Sequence, residues 1–167
     1  MVDRNFEGFY TVLYAPDGAE DPGVADLTAP TVAEATAATN LTPQLPTGGV
    51  AWDNTENNSS LAMILDGFVS ESVGTEASTF ALTLKRDSDS EEDPTYAFTK
   101  GETGTMIIIP MLAANDYTPA DGDKCHTLRV EAHTPAPLTP AENTKQLVRV
   151  NFAVAAREVN AEIGAGS

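Results

Sequence analysis

The sequence predicts a mainly β fold: two packed antiparallel sheets, as a sandwich or barrel, with one short flanking α-helix and long loops. Three stretches carry that expectation. In the first, Phe80, Leu82 and Leu84 alternate with Ala81, Thr83 and Lys85, the period of two that buries one face of a strand. In the second, Met106, Ile107, Ile108 and Ile109 run unbroken to Pro110, as in a strand covered on both faces. In the third, Val148, Val150, Phe152 and Val154 alternate with Arg149, Asn151, Ala153 and Ala155. That last pattern changes phase near Ala156, because Val159, Ala161 and Ile163 fall on the opposite parity. A bulge or turn there restores burial.

The other elements follow in chain order. Gly8 to Tyr14 reads as a strand with Tyr10, Val12 and Tyr14 on one face. Ala15 to Leu27 is acidic and rich in Gly and Pro, a long loop. Ala29 to Ala38 reads as a helical turn started by Pro30, and Leu41 to Leu45 as a short strand broken by Pro43 and Pro46. Gly48-Gly49 marks a turn, and Asn54 to Ser60 a loop. Leu61 to Val73 is a strand candidate, expected to turn at Gly74 to Ala77 and pair with Ser78 to Arg86 as a hairpin. Asp87, Asp89, Glu91, Glu92 and Asp93 then form a loop too charged to bury. Asp93 suits an N-cap, Pro94 a first helical position, and Lys100-Gly101 a helix end, so Pro94 to Lys100 is the expected short helix, with a short strand from Thr95 to Thr99 as the alternative. His126, Leu128 and Val130 mark a further strand, and Thr134 to Pro140 an extended proline-rich connector.

Bulk properties narrow the function. The chain has 167 residues, enough for one domain with a sizeable core. Hydrophobic residues make up 41% and charged residues 20%, a globular composition. A formal net charge of −16 argues against gripping nucleic acid phosphates or anionic membrane surfaces. It suits a surface that repels DNA, a saline habitat, or plain solubility. Cys125 is the single cysteine, so no intrachain disulfide forms. The opening MVDRNFEGFY carries no apolar signal region, and no run approaches the roughly 18 apolar residues of a membrane span. Synthesis in a cytoplasm is expected.

The inventory for catalysis is thin. Cys125 and His126 are adjacent on a strand, so they point to opposite faces and form no nucleophile–base pair. His133 is the other histidine, and no cysteine–histidine metal spacing exists. The acidic loops, one from Asp87 to Asp93 and one with Asp116, Asp121 and Asp123, do not match the twelve-residue calcium loop. No glycine-rich phosphate cradle follows a strand. No catalytic, cofactor-binding or metal residue is assigned, and no cofactor is expected. Trp52, in polar company, is expected to pack with its indole N–H satisfied.

The order of strand, polar loop, Pro-started helix and then KGETGTMIII resembles the major tail tube proteins of long-tailed (siphovirus) phages. Lys100, Gly101, Gly104 and Met106 to Ile109 match a Lys-Gly-x-x-Gly pattern that feeds an apolar strand in that family. Thr28 to Thr42 and Gln146 to Val154 resemble it in kind and order, whereas Pro110-Met111-Leu112 stands where basic residues often follow. The resemblance implies a fold similar to the type VI secretion tube protein. It implies six subunits per ring, with inner strands joined into one barrel. Rings would stack into a hollow tube that delivers DNA without binding it specifically. It implies a non-enzymatic virion component, partnered by itself and by other tail proteins such as the tape measure and tail terminator, assembled in the host cytoplasm. Residues 28–167 are then the tail-tube β domain, and residues 1–27, which the resemblance does not cover, read as an N-terminal arm held by a neighbouring subunit or packed on its own domain. Phe6, Phe9 and Tyr10 are apolar enough to anchor the arm in a neighbour.

Other readings of the same residues stay open. One is a β-sandwich binding module, Ig-like or carbohydrate-binding, with Trp52 and the Asn-rich loop as a platform. Another is a different virion component, such as a capsid decoration or head–tail connector protein. Carboxylate-only catalysis on a β-sandwich is the third.

Overall fold

The structure, a computed structural model, describes residues 10–56, 59–62, 69–72, 76–86, 93, 98–110, 118–139 and 145–166. Its strands are β1 (Tyr10–Pro16), β2 (Thr39–Asn40), β3 (Val50–Glu56), β4 (Ser59–Ala62), β5 (Val69–Ser72), β6 (Glu76–Lys85), β7 (Thr103–Pro110), β8 (Lys124–Ala132), β9 (Ala136–Pro137) and β10 (Leu147–Glu162). One helix, α1 (Val32–Ala37), and a 3-10 turn (Thr42–Gln44) complete the described elements.

The fold is mainly β and antiparallel, as expected. Seven strands run in the order β2-β1-β7-β8-β10-β6-β3, with β9 beside β10, in one eight-stranded sheet; β4 and β5 make a separate two-stranded sheet. The long strand β10 is the hinge. Residues 147–153 pair with β6 and residues 152–162 pair with β8, so only Phe152 and Ala153 are flanked by both. The sheet folds there into two layers that share one strand. Rings meet across the interior: Trp52 of β3 packs edge-on against His126 of β8 at 5.5 Å, and Phe98 bridges Tyr14 of β1 (4.9 Å) and Phe152 of β10 (5.3 Å). The two-layer expectation is thus met by one continuous sheet bent on itself, and the end strands β2 and β3 do not close it into a barrel.

Alternation along the strands explains the burial. Val12, Tyr14, Phe80, Leu82, Leu84, Met106, Ile108, Leu128, Val148 and Val150 form the main core between the layers. Leu13, Ile107, Ile109, Cys125, Ala161 and Ile163 form a second core on the other face, closed by Val24 and Ala35. β7 is buried on both faces, as its unbroken apolar run predicts. The phase change in β10 is real: its register with β8 shifts between Val154 and Ala156 and again between Glu158 and Ala161, which returns Ala161 and Ile163 to the second core.

The lid over the second core is local chemistry. Thr31 caps α1: its hydroxyl accepts from Glu34 N at 3.1 Å, and the Glu34 carboxylate accepts from Thr31 N at 2.7 Å, a capping box. Pro30 precedes the cap rather than starting the helix, and its carbonyl accepts from Gly164 N. Glu34 also accepts from Ala25 N at 2.8 Å. Arg129 donates to Val24 O (2.7 Å) and Thr127 to Leu27 O (2.6 Å), so two β8 side chains tie the acidic 17–27 loop down.

Several expectations are corrected. The strand candidate at 61–73 is two short strands, β4 and β5, that pair with each other, and β6 pairs instead with β3 and β10. The antiparallel partner of β4 is therefore β5, and of the turn expected at Gly74 to Ala77 only Glu76 and Ala77 are described, as the first residues of β6. Glu56 faces Glu76 while Ser59 faces Ser72, three residues on one side against four on the other, so one ladder follows the other with a slip. Leu41 to Leu45 hold the 3-10 turn Thr42–Gln44, not a strand: Pro43 lacks an N–H and fits a first turn, and Asn40 Oδ1 accepts from Thr42 N at 3.0 Å. β3 extends through Asn54 to Glu56, which composition assigned to a loop. For the helix expected at 94–100, Pro94 to Ala97 lie outside the described residues. Asp93 is buried and paired with Arg86 at 3.0 Å. Gly101 has φ +85°, as a left-handed turn needs, and its N–H donates to Ala132 O.

Candidate assembly surfaces

Phe6 and Phe9 lie outside the described residues. Tyr10 opens β1 opposite Pro110 and is 40% exposed. From Tyr10 onward the N-terminal stretch is built into the domain, since β1 pairs with β7 along all seven of its residues.

The boundaries of the main sheet differ in how they end. The outer edge of β1 is closed: Thr39 and Asn40 pair with Tyr14 and Leu13, Leu41 N donates to Val12 O, and Val12 N donates to Thr42 Oγ1. β9 offers two residues, one of them Pro137. Beyond Ala153, β10 loses β6, but the gap ends where Glu162 N donates to Thr28 O and Gly164 N to Pro30 O. Within that gap the strand carries its two register shifts, and the imidazole Nδ1 of His126 contacts Val159 O. Val159 is 39% exposed, and Ala153, Ala155 and Ala156 are exposed beside it.

β3 ends the other layer differently. Its seven residues pair with β6 in one constant register, and among the described residues nothing pairs with its outer side. It contains no Pro, Lys or Arg. Beside it lies a cleft of about 280 Å³ whose lining includes Ala51, Asp53, Ala81, His133, Arg149 and Asn151. Arg149 Nε donates to Asn151 Oδ1 at 3.1 Å.

The other residues singled out by sequence fall as follows. Trp52 turns to the main core, half-buried, but its indole N–H finds no acceptor among the described residues, contrary to expectation. Cys125 is buried in the second core, on the opposite face from His126. Burial, with Asp123 nearby, pushes its thiol up to about 11. Burial, with Glu102 and Asp17 nearby, raises the Tyr14 phenol well above its usual value. Asp123 Oδ2 accepts from Ala120 N at 2.9 Å, closing its own turn. The acidic loop from Asp87 lies outside the described residues up to Asp93. Among the described residues no three His, Cys, Asp or Glu side chains gather as metal ligands, and no helix is long and apolar enough to cross a membrane.

Two buried cores, a bent antiparallel sheet and, among the described residues, one regular unpaired edge define an antiparallel β domain. A family model described as phage tail tube protein matches residues 7–166, so the chain belongs to the phage tail tube protein family, a family of structural tail components. The chain is also similar in fold to a chain of the anti-feeding prophage baseplate, solved by cryo-EM and 6-fold symmetrised. That match has a TM-score of 0.58 at 8% identity and covers 100% of both chains. No curated protein matches.

Proposed function

We propose that this chain is the repeating subunit of a siphophage tail tube. Six copies form a ring, rings stack into a hollow tube, and DNA passes through on delivery without specific binding. The family match across residues 7–166 carries the reading. Physical features support it. A chain of −16 charge presents phosphates with repulsion rather than adhesion, so DNA slides. A head-to-tail contact repeated along an axis gives an open stack, and one repeated around an axis closes a ring. The role is structural and not enzymatic. The partners are further copies, the tape measure and the tail terminator, and assembly takes place in the host cytoplasm before the tube joins the virion.

Within this reading the sheet domain, with Thr11 to Leu27 packed on it, forms the ring wall, and the N-terminal end of the chain reaches the adjacent ring through Phe6, Phe9 and Tyr10. The test is electron microscopy of purified protein across a concentration series. Hollow six-fold rings or stacked tubes are expected. Because Tyr10–Pro16 is a strand of the sheet, the arm is tested by substitution and not by deletion. The Phe6→Ala, Phe9→Ala, Tyr10→Ala triple variant should leave single rings that fail to stack. A chain that stays monomeric at high concentration, even with the tail-tip initiator complex added, overturns the tube; normal stacking of the triple variant overturns the arm.

A further inference from the structure

We propose that Thr105 and Arg129 hold a buried site for one water-sized hydrogen-bond acceptor, in the seam between the sheet and the 17–27 loop. A water molecule and a halide ion share that chemistry, and the net charge of −16 favours water. The inference is independent of the assembly reading above, because the site lies inside one copy of the chain.

The register brings the two side chains together. Thr105 of β7 and Arg129 of β8 are Cα partners. Asp17 N donates to Thr103 O, so residues 103 and 105 turn their backbone groups to β1 and not to β8. The 105/129 pair is therefore a non-hydrogen-bonded one, in which facing Cα atoms stand about 4.5 Å apart and side chains are closest. Both side chains leave on the face of the second core. Thr105 shares that face with Ile107 and Ile109, and Arg129 with Cys125. There Arg129 donates from Nη2 to Val24 O at 2.7 Å.

Two atoms in this pair lack what burial demands. Thr105 is fully buried, and its hydroxyl finds no partner among the described residues. The Nε of Arg129 is buried and equally without a partner, although Nη2 of the same group is bonded. The Nε hydrogen and one Nη2 hydrogen project from the same edge of the planar guanidinium. Nε–H is therefore aimed beside the Val24 bond, into the seam. Among the described residues no carboxylate pairs with Arg129. Buried polar groups in native proteins are paired with protein or with ordered water, so these two orphans side by side point to a bound acceptor.

One acceptor answers both. It accepts from Arg129 Nε and from the Thr105 hydroxyl, a donor that rotates to suit. The next residue of the row is small: Ala15, the partner of Thr105 on β1, brings only a methyl to the second core. A water bound there has protons of its own to give, and the loop above presents carbonyls. Val24 O uses one lone pair for Arg129 and keeps the other. The occupant thus fastens the loop at the place where Arg129 and Thr127 already hold it.

The test separates a filled site from two orphans by the sign of one substitution. Thr105→Val keeps the shape of the side chain and removes the hydroxyl. With the acceptor bound, the variant loses a hydrogen bond and should melt about 2–4 °C lower, the shift of one net bond in a domain of this size. With nothing bound, the variant removes an unpaired buried oxygen and melts at the same temperature or higher, which overturns the proposal. The natural chain is read directly by NMR, as the unassembled subunit at low concentration. The Arg129 Nε–H should show a cross-peak to a long-lived water, and a sodium chloride titration should leave its resonance in place. A saturable shift with chloride, in place of the water cross-peak, keeps the site and assigns it to a halide. Neither cross-peak nor saturable shift overturns the site, even if Thr105→Val fails to fold. A chain that forms no rings overturns the tube reading and leaves each of these readouts as it is.

Discussion

Gly101 and Gly104, three residues apart, are glycines for different reasons. Gly101 needs a positive φ of +85°. Gly104 has no such need: a Cβ there would sit 2.6 Å from Tyr14 Cε2 and 2.7 Å from the Ala15 carbonyl oxygen. The Tyr14 ring lies against the bare backbone of β7, and its hydroxyl donates to Thr103 O at 3.3 Å. Gly104→Ala must displace a ring that Phe98 also holds at 4.9 Å. We expect a loss of about 1–3 kcal/mol, the range for overpacking a filled core, measured by urea denaturation. A loss of a few tenths would mean that β1 moves aside without resistance. The motif was legible as sequence, but the cause of its second glycine was not, because Tyr14 is ninety positions away (104 minus 14).

At the scale of elements, α1 and β10 show what local patterns specify. α1 has six residues, too few to stand alone, so its capping box and the burial of Ala35 hold it. Burial by itself would raise the Glu34 carboxyl, but bonds from Ala25 N, Thr31 N and the Thr31 hydroxyl outweigh it and hold the pKa below the ordinary 4.5. The folded-state value is the lower one, so this contribution is present above about pH 4.5 and lost as pH falls through the folded value. Thr31→Ala should cost about 1 kcal/mol at neutral pH, and the gap between variant and natural chain should shrink in acid, by denaturant titration at both pH values. A constant gap would mean that Glu34 does not share in the cap. In β10 the parity change at Ala156 was legible because two apolar faces were being fed by one strand. β3 was not, because Asp53 and Asn54 are turn formers by composition and are strand residues only through the ladder of β6.

For the whole molecule, one ring couples the layers. Phe98 is fully buried, contacts Tyr14 in one layer, and meets Phe152, at 5.3 Å, where the two layers share β10. Phe98→Ala should lower stability by about 3–5 kcal/mol, the cost of emptying an aromatic core site, with a matching fall in the denaturant midpoint. A loss below about 1 kcal/mol would show that the layers hold without it.

By itself the sequence determined the class. Period-two alternation in β6 and β10 and the apolar run of β7 are local patterns, and burial with hydrogen-bond demand reads them the same way in any antiparallel context. It also settled that Cys125 and His126 face apart, since that follows from strand geometry alone. Tertiary structure decided the rest. One strand serves two layers because β10 has sixteen residues while β6 and β8 each cover only part of it. β4 takes β5 as its antiparallel partner, and the acidic loop lies down because Arg129, on a distant strand, reaches Val24 O. Above all, which edge stays open is a property of all the neighbours together. An edge is defined by what does not pair with it, and no stretch of sequence carries that information alone.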